Sequence, residues 1–209
     1  MVLHYTQMAS AEAALERLCA PEAQVSAHYL IGADGRLWQL VDETQRAWHA
    51  GAGSWRSRGD VNSRSIGIEL DNDGDSPFAW PQIARLQELL TEVMQRWAIP
   101  PEGVIAHSDM APARKSDPGP RFDWRGLARA GLSIWPGMGT DPVGWPNGGR
   151  EALTLTAALD ALGYPAVDPG LRLAAFRLRF RPGHAGPEDS TDRALAADLA
   201  MRFGDRSEN

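Results

Sequence analysis

The longest regular pattern in the chain lies at residues 81–98, where Ile83, Leu86, Leu90, Val93, Met94 and Trp97 recur at spacings of three and four. That period places them on one face of a helix. Pro81 fits its first turn, where a backbone N–H would have no partner anyway. Elsewhere in the first 130 residues the apolar positions come in short β-prone runs, at 2–5, 27–31, 36–41, 65–70 and 103–106. Between the second and third, Ala33-Asp34-Gly35 reads as a hairpin turn with glycine at the left-handed position. Two shorter helices fit around these strands: 11–20, with Ser10 as N-cap, Leu15 and Leu18 on one face and Pro21 as stop, and 124–130. Strands alternating with helices, plus one hairpin, predict an α/β domain with a mixed central sheet flanked by helices.

The pattern changes after residue 135, where Pro-Gly-Met-Gly and Trp-Pro-Asn-Gly-Gly replace periodic sequence. All eight tryptophans fall at or before Trp145. This divides the chain into a first domain at 1–138, a linker at 139–149 and a small three-helix domain at 150–209. Its helices are expected at 150–162, 171–180 and 191–203, the last with Ser190 as N-cap.

Composition adds mainly exclusions. The 209 residues carry a net charge of −6, which gives no broad electrostatic reason to expect nucleic acid or an anionic membrane as partner. No run approaches the length of a membrane span. The first residues show no basic n-region or apolar stretch, so the expected location is the cytoplasm. Cys19 is the single cysteine; no intrachain disulfide can form, and the residue is expected to pack rather than react. The oligomeric state is not fixed by the sequence, and a monomer is the favoured expectation.

Two stretches suggest chemistry. Glu69 sits in the apolar run Ser-Ile-Gly-Ile-Glu-Leu, and an ionised carboxylate there is costly unless it is paired or faces a cleft. Residues 107–120 pack His107, Asp109, Asp117 and the chain's only lysine, Lys115, into a stretch too rich in proline and glycine for a helix. His4, His107 and Asp117 can supply the three ligands of a catalytic zinc site. The plain alternatives are strand-end histidines, a turn begun by Asp117, a Glu69 paired with a buried arginine and a solvated Lys115. The polar stretch from Ala47 to Ser63 is long enough to be functional or mobile.

In order, His4-Tyr5-Thr6, Ser26-Ala27-His28-Tyr29, Ala47-Trp48-His49-Ala50-Gly51, Ser65-Ile66-Gly67-Ile68-Glu69 and His107 to Gly119 resemble the zinc-dependent N-acetylmuramoyl-L-alanine amidases of the type 2 amidase family, in their AmiD- and AmpD-like branch. The resemblance covers residues 2 to about 135. It implies that His4, His107 and Asp117 bind Zn2+, that Glu69 is the general base and that Lys115 stabilises the oxyanion. It also implies a substrate rim at Trp48, His49 and Ala50, with His28 orienting the site or packing the core rather than binding metal. The implied reaction is hydrolysis of the amide between N-acetylmuramic acid, in its ordinary or 1,6-anhydro form, and L-alanine of soluble peptidoglycan fragments, in cell-wall recycling or turnover. A non-catalytic muropeptide recognition protein and a metal amidase for other acylated peptides are the competing readings. The C-terminal segments, Leu155 to Tyr164, Ala174 to Pro182 and Thr191 to Leu195, resemble the three-helix peptidoglycan-binding module of AmiD-type enzymes. The alternative is a helical appendage covering the first domain's flank.

Overall fold

The computed structural model describes residues 1–137 and 153–205. The expected linker and the start of the expected helix at residue 150 lie outside the described residues.

Five strands, β1 (Val2–Tyr5), β2 (Tyr29–Ile31), β3 (Leu37–Gln39), β4 (Gly67–Leu70) and β5 (Ile105–Ala106), form one sheet in the order β3-β2-β4-β1-β5. Only the β2–β3 hairpin is antiparallel, so the sheet is mixed as expected. Gly35 takes the left-handed conformation at the turn, with φ of 86°. A single-sequence pattern finds strands but not their partners. Here β1, the first strand, lies between β4 and β5 near the end of the sheet.

Helix α1 (Ala11–Cys19) is capped by Ser10, whose side chain accepts from the Ala13 N–H. It turns Ala11 and Ala14 inward and leaves Cys19 exposed, so the expectation that this cysteine packs is corrected. Helix α2 (Trp80–Trp97) buries Leu86, Leu90 and Val93 completely. They meet Leu3, Ile31, Ile68 and Leu70 from one face of the sheet. Trp97, expected on that face, is largely exposed and donates its indole N–H to Glu43. Gln82 takes an inner position because its amide donates to the Ile31 and Asp71 carbonyls at the strand ends.

The stretch after β5 is not all loop. Residues His107–Met110 form one helical turn, α3. Its third residue, Asp109, accepts from the Ala106 N–H just before it, and that side-chain cap supplies what the composition failed to advertise. The short helix α4 (Trp124–Arg129) closes this half.

Three further helices follow: α5 (Leu155–Leu162), α6 (Pro169–Phe180) and α7 (Ser190–Phe203). Thr154, Asp168 and Asp189 cap them. The cap of α7 is thus Asp189 rather than Ser190, since its carboxylate accepts from both Thr191 and Asp192 N–H groups. Leu159, Phe176, Ala196 and Leu199 form a second apolar cluster. No helix among the described residues is long and apolar enough to cross a membrane.

Candidate metal centre and active site

Strand register assembles the site. His4 in β1 lies opposite Glu69 in β4, and neighbours in register on parallel strands point to the same face. Leu3 pairs with Ala106, so one residue further along His107 comes up beside His4. All three arrive at the carboxyl ends of parallel strands, where open α/β sheets place ligands. Alternation also resolves the oddity of Glu69. Its neighbours Ile68 and Leu70 face the α2 core, while Glu69 turns the other way, into a cleft.

That cleft has a volume of about 330 Å³ and is lined by His4, Glu69, His107, Lys115 and Asp117, with Trp48 at its edge. Larger hollows exist, but none among the described residues gathers this chemistry. Nδ1 of His4 lies 2.9 Å from Nδ1 of His107. Each of these atoms is also 2.9 Å from Oδ2 of Asp117. All three residues are buried.

The hydrogen bonds behind the cluster fix which ring nitrogens carry protons. Nε2 of His107 lies 2.9 Å from the Ala50 carbonyl. A carbonyl only accepts, so Nε2 holds the hydrogen and Nδ1 presents a lone pair to the cluster. For His4 the reasoning runs through two more residues. The Ser65 hydroxyl donates to the Val61 carbonyl at 2.6 Å, so toward Nε2 of His49, 3.2 Å away, its oxygen accepts. His49 is therefore protonated on Nε2, and its Nδ1 accepts from Nε2 of His4 at 3.0 Å. That leaves Nδ1 of His4 with a lone pair as well. Two lone pairs and a carboxylate oxygen thus converge with no hydrogen between them, an arrangement that fits a cation.

Electrostatics agree with a neutral His4. Burial, reinforced by His107, lowers the pKa of His4 to about 4, and burial holds His49 well below its ordinary value. Near neutral pH His4 needs no deprotonation to take a metal. Glu69 differs: burial first, and then Asp117, raise its carboxyl to about 8, with Lys115 opposing. Its Oε2 is buried with no hydrogen-bond partner.

Comparison with known proteins follows the same line. The profile of the N-acetylmuramoyl-L-alanine amidase family matches residues 1–120. The chain belongs to that family. Escherichia coli AmiD is 36% identical to it over 98% of this chain and 83% of its own length. Haemophilus influenzae AmpD, a 1,6-anhydro-N-acetylmuramyl-L-alanine amidase, is 41% identical over 49% of this chain and 56% of its own length. The solved complex of AmiD with anhydro-N-acetylmuramic acid-L-Ala-D-gamma-Glu-L-Lys superposes with a TM-score of 0.84 at 35% identity, covering 97% of this chain and 88% of that one. AmpDh3 from Pseudomonas aeruginosa, in complex with anhydromuramic pentapeptide, superposes at 0.82 and 31% identity over 98% and 91%.

In this amidase the three residues expected at the substrate rim separate. Trp48 is 55% exposed, with the Arg46 guanidinium stacked 4.1 Å over its ring. His49 and Ala50 are buried and back the metal-ligand candidates, as the hydrogen bonds above require, and of the two only His49 also lines the cleft. Asn62 holds that segment by accepting from the His49 and Ala50 N–H groups at 3.0 and 2.7 Å. His28 accepts from the Gly67 N–H and sits beside His49 rather than in the cluster. Sequence reasoning gave no role to Ser65, Asn62 or Arg114. Arg114 lines the cleft and donates to the carbonyls of Ala50 and Ala52. The only signal for Ser65 was its place two residues before Gly67. A Cβ at that glycine would lie 2.2 Å from Cγ of His49.

Proposed function

We propose that this amidase hydrolyses the amide between the lactyl group of N-acetylmuramic acid, in its 1,6-anhydro form, and L-alanine of soluble peptidoglycan fragments, with zinc held by His4, His107 and Asp117. Family membership supports the reaction, and the convergence of two Nδ1 lone pairs and one carboxylate oxygen carries the metal reading. The substrates named for the AmiD and AmpDh3 complexes support the anhydro sugar and the peptide. Bound there, zinc supplies Lewis acidity, polarising a carbonyl and making water a stronger acid.

The chain's own groups do the rest. Glu69 takes the proton of the attacking water on a carboxylate oxygen and returns it to the amino group that leaves with L-alanine. A divalent charge beside it favours its ionised form and so offsets the upward push of burial. Lys115 presents its ammonium to the negative charge that develops on the scissile carbonyl oxygen. Trp48 offers a flat face at the cleft edge to the sugar. His49, Ser65 and Ala50 hold the two imidazoles in the tautomers that leave Nδ1 free.

Metal analysis joined to activity tests this reading. The purified protein is expected to carry one equivalent of zinc, to lose hydrolysis on chelation and to regain it when zinc returns. Full turnover by fully chelated protein would contradict it.

A further inference from the structure

Asp109 is fully buried and belongs to the turn α3, two residues after His107. Two of its three partners come from the C-terminal helices. Nη1 of Arg179, on α6, donates to Oδ2 at 2.5 Å, and the hydroxyl of Tyr164, just after α5, donates to Oδ1 at 2.6 Å. The third partner is the Ala106 N–H, at 2.9 Å. Arg179 reaches further with its other nitrogen, which donates to the Val104 carbonyl and the Ser133 hydroxyl, both at 3.0 Å. Its guanidinium also lies 4.1 Å over the ring of Trp124. One buried side chain of the C-terminal half thus braces the approach to β5, the turn α3 and helix α4 at once.

This joint matters because α3 organises two of the three metal-ligand candidates. His107 is its first residue, and the Ser108 N–H donates to the Asp117 carbonyl at 3.1 Å. The segment that buttresses α3 from below is held by the same helices. The Ser54 N–H donates to the Met110 carbonyl at 3.0 Å, and the Arg56 N–H to the Gly163 carbonyl at 2.9 Å. Trp55 packs edge-on against Tyr164, with ring centroids 5.3 Å apart. Gly53 permits the approach, since a Cβ there would fall 2.5 Å from the Met110 carbonyl oxygen.

We infer that Arg179 and Tyr164 are positioning residues for the metal centre: through Asp109 and α3 they hold His107 and Asp117 in place, so the C-terminal helices are part of the catalytic apparatus. This rests on the proposed metal reading. It goes beyond any glycan binding by those helices. Support behind metal ligands commonly governs metal affinity by 10- to 100-fold. Coupling between two sites is also reciprocal, so metal binding must strengthen the docking of the helices by the same factor.

The test uses the full chain and measures zinc affinity by competition with a chromophoric chelator, together with the visible spectrum of the Co2+-loaded protein. Tyr164→Phe removes one donor to Asp109 and leaves the ring in place. It is expected to weaken metal binding about tenfold and to shift the Co2+ bands. Arg179→Lys, which keeps the charge but not the reach to Val104 and Ser133, should weaken binding further. Leu199→Ala, in the fully buried core of α7, is the comparison: it lowers the melting temperature but leaves affinity within about twofold and the spectrum unchanged. Wild-type affinity in Tyr164→Phe, or an equal loss in Leu199→Ala, would overturn the inference while the metal reading stands. A wild type that takes up no metal would remove both.

Discussion

Burial pushes the Glu69 carboxyl up to about 8 from an ordinary value of 4.5, so between those limits the chelated, folded chain holds a proton that the unfolded chain has released. The linkage sign is then fixed: the stability this group contributes is fully present below about pH 4.5 and lost as pH rises through 8. Glu69→Gln cannot ionise. In chelated protein it should be more stable than the wild type at pH 8, by on the order of 4 kcal/mol, with the difference gone at pH 4. Parallel urea titrations at the two pH values check this. His4, lowered to about 4 from 6.5, acts in the opposite direction: its contribution is present above 6.5 and lost as pH falls through 4. At the same scale, Lys115→Met should lower kcat by roughly 10²- to 10³-fold with little change in KM, the mark of a charge used mainly in the transition state. A loss confined to KM would assign Lys115 to substrate binding instead.

Regular elements were the easiest part to read from sequence. Helix α2 appears where the period of Leu86, Leu90 and Val93 places it, and α1 begins at its Ser10 cap, because both signals are local. The turn α3 was hidden because its stabilising group, Asp109, is satisfied mainly by residues 55 and 70 positions away. His49 lines the cleft, as the resemblance implies, but its second contact was hidden for a related reason: nothing local shows that β4 sets a glycine against its ring. Gly67→Ala tests that relation. Its Cβ would fall on the His49 ring, so His49 must move and release Nε2 of His4. Metal affinity should fall at least tenfold while circular dichroism still reports a folded sheet. Unchanged affinity would show that the His49 hydrogen bond does not support the ligand.

Over the whole molecule, the five motifs that resemble the family also mark the residues that the fold brings to one cleft, although His4 and Asp117 are 113 positions apart. What motifs did not disclose is the tie between the two halves, since Tyr164 and Arg179 carry no pattern of their own. The C-terminal helices also enclose a cleft of about 640 Å³ lined by Leu155, Leu159, Leu173, Ala174 and Arg172. If these helices hold glycan, as their resemblance implies, this is the surface that offers room for it. Ala174→Trp should then reduce co-sedimentation of the full chain with insoluble peptidoglycan severalfold; equal sedimentation would remove the cleft from that role.

The central claim is hydrolysis at one bond, and mass spectrometry of a single defined substrate tests it most directly. Zinc-loaded protein incubated with anhydro-N-acetylmuramyl tripeptide should yield two products, the free anhydro sugar acid and a peptide beginning with L-alanine, together heavier than the substrate by one water. Intact substrate after prolonged incubation, or cleavage within the peptide, would contradict the account.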